Sequence, residues 1–366
     1  MRGSTRKRSS TWTAYWDAQE YDPETGKSER RQRSKGGFAT QREAQAHLDK
    51  VVPEVKAGTY VEPSKVPFGA FLVGEWLPTL NGRVRPLTVD RYSKIAKLYV
   101  VERDIGAVPL CNLSGAHLTA LCAELREDGL SVGTRRLTHN VLRRALNDAV
   151  RWGKIARNPA AAADPPALPR SRAQSWSARE LRAFLEHVED DRVFALWRLA
   201  ATTGMRRGEL LGLLWRHLDL DAARLEVAQQ LLPTAGGCSF GPPKSRRSER
   251  TIALDPATVD ALRHHRETQQ LERDLAGPAY VDQDLAFCDE LGGWVHPQTL
   301  TTTFARHRKA AGIATGTLHI LRHTSATIAL SEGVPLHVVA GRLGDDARTL
   351  LGTYAHLLPH SDEQAA

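Results

Sequence analysis

The amino-acid sequence predicts a multidomain, mainly α-helical protein with small β-sheets. The chain has 366 residues, of which 41% are hydrophobic, and this is enough for two or three separate cores. Strand-like stretches of aromatic and β-branched residues are few and short, whereas most of the chain has apolar residues at helical spacing. A segment rich in Ala and Pro, 158–172, divides the chain near its middle, as is typical of a linker.

Residues 1–62 are predicted to form a small β-sheet followed by one helix. A strand, a turn, a basic returning strand and a helix are expected at 11–16, 21–27, 29–35 and 40–57. Thr40 is placed to cap the helix, with Glu43 at the capping-box position. For the role of residues 1–62, the alternatives to a binding domain are an unrelated accessory domain and a tail with little role.

Residues 66–158 are predicted to form a helical bundle, with helices at 68–80, 87–101, 114–128 and 132–152. The last helix has an apolar face made of Leu137, Val141, Ala145, Ala149 and Trp152. Its other face carries Arg136, Asn140, Arg143, Asn147 and Arg151. Such a helix can pack its apolar face on a core and present its polar face to DNA. The alternative is a merely solvated arginine face.

Residues 159–173 are predicted to be an extended linker, because prolines break helices, and residues 174–366 to be a further domain. Strands are expected at 224–232 and 249–254, with a turn at Gly236–Gly237 between them. This arrangement predicts that Lys244 lies at or near a hairpin tip. A helix is expected from His319 to Leu330, and Tyr354 is expected on or near another helix.

The charge of the chain favours a polyanionic partner. The formal net charge is +8 and the isoelectric point is near 9.4, with basic residues clustered at 1–10 and 244–250. The four cysteines show no paired spacing, so neither a zinc site nor a disulfide framework is expected. No apolar run is long enough to span a bilayer and no signal peptide is visible. We therefore expect a reduced, cytoplasmic protein.

Five residues of the last domain suggest chemistry on a phosphodiester: Arg206, Lys244, His319, Arg322 and Tyr354. Two guanidiniums can bind the phosphate oxygens and stabilise the charge that grows in the transition state. The tyrosine can act as the nucleophile, and the lysine or a histidine can protonate the leaving 5′ oxygen. Each residue alone has an ordinary structural explanation. Only their combination favours a catalytic site.

In this order and at this spacing, the five residues resemble the catalytic domain of tyrosine recombinases, the phage-integrase family. The resemblance extends from about Gln174 to Leu358, and the first 62 residues look like the arm-type DNA-binding domain of many integrases. It implies a mixed α+β catalytic domain and a helical core-binding domain that together clamp DNA. Because one phosphodiester is exchanged for another through a 3′-phosphotyrosine bond, it implies no metal, ATP or other cofactor.

The resemblance also implies partners. These are double-stranded DNA with attachment sites, a homotetramer assembled on that DNA, a DNA-bending host factor and an excision factor. The expected location is the nucleoid of a bacterial host, without membrane association. The candidate DNA-binding residues are the α-helical stripe Arg136, Asn140, Arg143, Asn147 and Arg151, together with Arg246, Arg247, Arg30, Arg31 and Arg33.

Some residues near the catalytic motifs are given other roles. Glu209 lies one helical turn after Arg206 and can orient its guanidinium. His323 is interpreted as structural. His356, two residues after Tyr354, can face either toward the catalytic residues or away from them. The segment after Tyr354 is expected to pack on a neighbouring subunit, with Leu357–Leu358 as its anchor.

The chain departs from the family at one position. Leu343-Gly344-Asp345 stands where relatives usually carry leucine-glycine-histidine, nine residues before the tyrosine. An ionised aspartate cannot donate a hydrogen bond to phosphate and would repel it. Three explanations stay open: Asp345 caps the following helix, it is held protonated, or it orients an arginine such as Arg322 or Arg342. If Asp345 is only a weak substitute, a histidine there should keep or raise the cleavage rate.

Three other functions compete with an integrase of a phage or integrative element. A type IB topoisomerase uses a similar site but relaxes supercoils. A catalytically inactive relative would bind DNA without forming a covalent adduct. A transposon-encoded relative would join poorly matched sites.

Overall fold

The computed structural model describes residues 3–21, 28–57, 60, 62, 64–168, 174–234, 236–243 and 246–354, with the backbone alone at 19–21, 28–29 and 246. The chain divides into two compact units, residues 1–169 and 170–366. Within the described ranges, no helix combines the length and the apolar character needed to cross a membrane. The predicted fold class is confirmed, because helices dominate and the sheets are small and antiparallel.

The first unit begins with a three-stranded antiparallel sheet, ordered β1 (Ser4–Arg8), β2 (Thr11–Tyr21) and β3 (Ser28–Phe38), and helix α1 (Gln41–Lys56). Alternate residues of β2 point to α1, and their shared core contains Ala14, Trp16, Ala18, Ala44, Leu48 and Val51. Thr40 caps α1 as predicted, since its Oγ1 accepts from the Glu43 backbone N–H at 3.3 Å.

Strand β1 was not predicted. Its sequence, STRKR, is mostly charged and lacks the aromatic and β-branched pattern that indicates a strand. Pairing with β2 in the register Ser4↔Tyr15 to Arg8↔Thr11 supplies the order that the local sequence does not.

The rest of the first unit is helical, with α2 (Phe68–Ala70), α3 (Pro86–Ala96), α4 (Asp104–Ala107), α5 (Gly115–Glu127) and α6 (Val132–Arg151). The single helix predicted at 68–80 is instead α2 followed by a π-helical turn, Phe71–Trp76, and a 3₁₀ turn, Leu77–Leu80. These turns bury Trp76, whose indole N–H donates to Oδ2 of Asp148 on α6 at 2.8 Å. The predicted boundaries 1–62, 66–158 and 159–173 stay predictions.

The second unit contains eight described helices: α7 (Ala178–His187), α8 (Phe194–Thr203), α9 (Arg207–Leu211), α10 (Pro256–Ala276), α11 (Pro297–Ala310), α12 (His319–Ser331), α13 (Leu336–Leu343) and α14 (Ala347–Tyr354). One sheet has the order β4 (Leu218–Asp219), β5 (Arg224–Val227) and β8 (Arg250–Ala253). A separate hairpin pairs β6 (Gln230–Thr234) with β7 (Gly237–Gly241). The core includes Phe184, Trp197 and Phe304, whose rings contact one another.

The predicted hairpin of this unit is wrong in its pairing. The expected strand at 224–232 is two strands, β5 and β6, and the turn at Gly236–Gly237 joins β6 to β7. The strand expected at 249–254 is β8, which pairs with β5 in the other sheet. Burial alternates along β5 but this pattern stops before β6, so one continuous strand does not form. Lys244 lies outside the described residues.

Candidate active site

Two arginines from distant segments of the second unit bind one carboxylate. Arg206 stands immediately before α9, Arg322 lies in the first turn of α12, and Asp345 follows α13. Nη2 of Arg206 donates to Oδ1 of Asp345, and Nη2 of Arg322 donates to Oδ2 at 2.5 Å. Asp345 therefore bridges two guanidiniums that are far apart in the sequence.

Glu209 fixes Arg206 from the other side. Its Oε1 accepts from Nη1 of Arg206 at 2.9 Å, and its Oε2 accepts from the Arg206 backbone N–H at 2.9 Å. Arg250 also donates to Oε2 of Glu209, at 2.9 Å. Burial alone would raise the pKa of Glu209, but the hydrogen bonds and charges of Arg250 and Arg206 outweigh it and lower the pKa. Glu209 is thus an ionised, buried anchor for both arginines.

Backbone carbonyls fix Arg322, which is only 4% exposed. Its Nη1 donates to the carbonyl of Gly204 at 2.7 Å, and its Nη2 donates to the carbonyl of Leu343 at 2.9 Å. Burial and the positive charge of Arg206 lower the pKa of Arg322, whereas Asp345 opposes this change. Asp345 is therefore the countercharge of a buried guanidinium.

Tyr354, the last residue of α14, is buried beside a histidine. Nδ1 of His323 lies 2.5 Å from the phenol oxygen of Tyr354. Burial raises the pKa of Tyr354 to about 12, with Arg322 acting to lower it and Asp345 to raise it. Burial and the charge of Arg322 lower the pKa of His323. At neutral pH the histidine is therefore neutral and the tyrosine is protonated.

His319 lies one helical turn before His323 on α12. The two rings meet edge to face, with centroids 4.7 Å apart. Burial, followed by the charges of His323, Arg322 and Arg206, lowers the pKa of His319 to about 4, and Asp345 opposes this. His319 is consequently neutral over the physiological pH range.

The structure brings together four of the five residues singled out in the sequence: Arg206, His319, Arg322 and Tyr354. Sequence reasoning missed the contact between His323 and Tyr354. The one available signal was the four-residue spacing from His319, which places both histidines on one face of α12.

The three explanations for Asp345 now differ in support. The cap of α14 is Asp346, whose Oδ1 accepts from the Arg348 backbone N–H at 2.9 Å. Arg342 points elsewhere, donating to the carbonyls of Ala253 and Thr202. The geometry of Asp345 fits the orienting role, with Arg322 as one of the two expected arginines and Arg206 as an additional partner.

The candidate DNA-binding stripe of α6 is largely exposed. Asn140, Arg143, Asn147 and Arg151 are at the surface, while Arg136 is partly buried and donates to the carbonyl of Pro166 at 3.0 Å. Arg151 is paired with Asp148, and Asn147 accepts from the side chain of Asn158 at 2.6 Å. The side chain of Arg143 makes no ion pair within the ranges that the structure describes.

The other candidate DNA-binding residues lie on β3 and beside β8. Arg30 and Arg31 are exposed, Arg30 being paired with Asp17 at 2.5 Å. Arg33 is paired with Glu62 at 2.8 Å. Arg247 is exposed and paired with Asp346, and the side chain of Arg246 lies outside the described residues.

Sequence models of two protein families match this chain. A sequence model described as the phage integrase family matches residues 176–360, and one described as an arm DNA-binding domain matches residues 4–54. Among curated proteins, the chain is 26% identical to a protein named tyrosine recombinase XerC-like from Caldanaerobacter subterraneus, covering 89% of this chain and 88% of that protein. It is 28% identical to an integrase of Streptomyces ambofaciens, covering 85% and 81% respectively.

Solved structures share the fold. The integrase of transposon Tn1549, in complex with a circular intermediate DNA, has a TM-score of 0.70 at 20% identity, covering 82% of this chain and 98% of that chain. A lambda integrase tetramer bound to a Holliday junction has a TM-score of 0.57 at 19% identity, covering 93% and 95%.

Proposed function

The chain belongs to the phage integrase family, and on this premise we propose that it is a site-specific DNA recombinase of a phage or integrative element. It cuts and rejoins DNA through a 3′-phosphotyrosine intermediate. The observation that carries the proposal is the convergence of Arg206, Arg322 and Tyr354 around Asp345, since these residues come from three separate segments.

Arg206 and Arg322 bind the scissile phosphate in this proposal. A guanidinium is planar, always charged, and able to donate paired hydrogen bonds to phosphate oxygens. Glu209 and the carbonyls of Gly204 and Leu343 hold the two groups before DNA arrives. Prearranged donors of this kind stabilise the charge that develops on the phosphate oxygens, because the donors do not have to reorganise during the reaction. Asp345 orients both guanidiniums for this task.

Tyr354 attacks the phosphate, and the 5′ oxygen leaves as a hydroxyl. Because burial raises the pKa of Tyr354 to about 12, the phenol needs a proton acceptor to attack at neutral pH. Lys244 is proposed as the donor of the proton to the leaving oxygen, on the basis of its residue type and position in the motif order. His319 assists in proton transfer or hydrogen bonding.

The remaining parts of the chain hold the DNA. The exposed stripe of α6 and the basic residues of β3 are proposed to contact phosphates in the core site and the arm site respectively. The lambda integrase tetramer bound to a Holliday junction supports a homotetramer on DNA as the working state. A DNA-bending host factor and an excision factor are proposed partners, and the bacterial nucleoid is the proposed location.

The proposal is tested with a nicked duplex that carries the candidate attachment site from beside the gene. Cleavage of this duplex releases a short strand and traps the enzyme on the DNA. Wild type and Tyr354→Phe are compared on a denaturing gel, with a chelator and without ATP. We expect a covalent adduct from wild type only, while Tyr354→Phe binds the same duplex equally well, because it lacks only the nucleophilic oxygen. An adduct or strand exchange by Tyr354→Phe would overturn the assignment.

A catalytically inactive relative is the second candidate, favoured by the carboxylate of Asp345 between the two arginines. It predicts tight, salt-dependent binding of the duplex and no adduct at any pH. A type IB topoisomerase would instead relax a supercoiled plasmid that lacks the attachment site. A relaxation assay with wild type on such a plasmid therefore separates a topoisomerase from a site-specific recombinase.

A further inference from the structure

The proposed function does not say which group accepts the proton of Tyr354. His319, the histidine of the sequence motif, is not the one that contacts the phenol. The proposed function gives His319 a role in proton transfer or hydrogen bonding. Of the two histidines on this face of α12, His323 is the one with a ring nitrogen at hydrogen-bonding distance, 2.5 Å from the phenol oxygen of Tyr354. His319 instead packs edge to face on the ring of His323.

The protonation state of His323 suits a base. Burial, followed by the charge of Arg322, lowers its pKa, so the imidazole is neutral at pH 7 and has one free lone pair. When Nε2 carries the ring hydrogen, Nδ1 is the acceptor, and Nδ1 is the atom that faces the phenol. The neutral ring of His319 beside it adds no second positive charge.

We propose that His323 is the general base of the cleavage step, a role that rests on the proposed recombinase function. The O–H bond of Tyr354 breaks and its proton moves to Nδ1 of His323, while the phenol oxygen forms a bond to phosphorus. The bond from phosphorus to the 5′ oxygen breaks, and its electron pair stays on that oxygen, which takes a proton from Lys244. In the rejoining step the 5′ hydroxyl returns its proton to Lys244 as its oxygen forms a bond to phosphorus. The bond from phosphorus to the Tyr354 oxygen breaks, and His323 returns the proton to the departing phenolate.

Charged groups of both signs surround His323 and Tyr354. Arg322 precedes it on α12, Asp345 faces it from the loop after α13, His319 lies on its own helix and Tyr354 faces it from α14. Asp345 stabilises the imidazolium that forms and Arg322 stabilises the phenolate, whereas Arg322 acts against the imidazolium and Asp345 acts against the phenolate. The base and the nucleophile thus each have an opposite charge nearby at the moment of transfer.

The experiment measures single-turnover adduct formation from about pH 5 to about pH 9, so that the range extends below the usual pKa of a histidine. The substrate is the nicked duplex with sulfur in place of the leaving 5′ oxygen. A thiolate leaves without protonation, so the pH dependence reports on the tyrosine rather than on Lys244. The variants are His323→Asn, which keeps a polar group near Nδ1 but cannot take a proton, and His319→Asn as its match one turn earlier on α12. His323→Ala with added imidazole is a third arm.

For wild type we expect a rate that is level at neutral and higher pH and falls in acid as His323 is protonated. His323→Asn should be slower by roughly 100-fold at pH 7. Its rate should rise with hydroxide across the whole range, because the pKa of Tyr354 is about 12. His319→Asn should lower the rate, because His319 belongs to the proposed site, but it should keep the wild-type dependence on pH. Imidazole should restore part of the rate of His323→Ala. A merely structural role for His323 would lower the rate without producing this slope or this rescue.

Two failures are distinguishable. If wild type forms no Tyr354-dependent adduct, the proposed function itself is wrong. If wild type forms the adduct and His323→Asn retains the wild-type pH profile, only the role of His323 is overturned. If the rate of His319→Asn, rather than that of His323→Asn, rises with hydroxide across the whole range, the base is His319.

Discussion

At the scale of single residues, Asp345 contacts both of the arginines that are proposed to bind the phosphate. One of its oxygens faces Arg206 and the other faces Arg322. Arg322 is almost fully buried, and an unpaired charge in such a place is costly. A carboxylate can satisfy both guanidiniums at once because it offers acceptors on two sides. A neutral histidine offers one acceptor and a charged histidine offers none.

We therefore predict that Asp345→Asn and Asp345→His both lower the rate of cleavage. The asparagine turns its NH₂ group toward one guanidinium, and loss of one hydrogen bond to a charged group costs about 1.5–3 kcal/mol. This corresponds to roughly 10- to 100-fold in rate. The measurement is single-turnover adduct formation, with duplex binding measured in parallel and expected to change little.

The control for this prediction is Asp346→Asn. Asp346 is exposed to solvent, pairs with Arg247 at the surface and caps α14, and asparagine is an equally good cap. We expect near wild-type cleavage from it. If Asp345→His instead keeps or raises the rate, Asp345 is only a weak substitute for the usual histidine, and its contacts with Arg206 and Arg322 are dispensable.

Sequence reasoning at this scale found the arginines, His319 and the tyrosine because residue type, order and spacing are all written in the chain. It could not choose the partners of Asp345. Arg342 is near Asp345 in the sequence but points elsewhere, whereas Arg322 is distant in the sequence and contacts Asp345 in the folded chain. It also assigned His323 a structural role. Which of two histidines on one helix face reaches Tyr354 depends on the packing of α14 against α12, which no local pattern encodes.

At the scale of elements, two glycines end helices where the site begins. Gly204 ends α8 with a φ of 65°, and Gly344 ends α13 with a φ of 66°. Both are in the left-handed region, where residues with a Cβ are strained. The turn after Gly204 leads directly to Arg206, and the turn after Gly344 leads to Asp345. The carbonyl of Gly204 also accepts from Arg322.

Gly204→Ala should damage both stability and catalysis. A Cβ in this conformation costs about 1–2 kcal/mol and would also collide with Cδ2 of Leu343. The free energy of unfolding should fall by at least this amount, and displacement of the carbonyl that holds Arg322 should lower adduct formation more than DNA binding. Urea unfolding and the nicked-duplex assay measure the two effects.

Gly341→Ala is the matched control, since Gly341 lies within α13 and a Cβ there would meet nothing within 4 Å. Alanine in a helix interior should raise the free energy of unfolding by roughly 0.5–1 kcal/mol. Equal losses from Gly204→Ala and Gly341→Ala would show that the left-handed turn after α8 has no special role.

Helices of this chain were easier to predict than strands. The limits of α6 follow from long apolar periodicity and the capping residue Ser131. Those of α12 follow from apolar periodicity alone, because its N-cap position is Leu318, which makes no side-chain cap. The short strands β5 to β8 carry four or five residues each, and their partners are chosen by long-range packing rather than by the nearest turn. This is why the turn at Gly236–Gly237 was found but assigned to the wrong pair of strands.

At the scale of the whole molecule, the question is whether its excess positive charge acts as a general attraction or through particular contacts. The net charge of +8 alone gives sequence-independent attraction to DNA. A contact that neutralises a phosphate also releases counterions, which makes binding steeply dependent on salt. The stripe of α6 offers a clear case, because Arg143 is exposed and its neighbour Arg144 is occupied. Nη1 of Arg144 lies 3.4 Å from the hydroxyl of Tyr92, and its guanidinium lies 5.7 Å from the centroid of that ring.

Arg143→Gln and Arg144→Gln change the net charge equally, so any difference between them reports a contact. If the stripe of α6 faces DNA, Arg143→Gln should reduce the slope of log K against log salt by about 0.9, the value for one phosphate. Arg144→Gln should change it much less, because its guanidinium is engaged with Tyr92. Binding of the core-site duplex, titrated at several salt concentrations, measures the slopes. Equal slopes for both variants and wild type would remove α6 from the DNA interface and leave its polar face as a solvated surface.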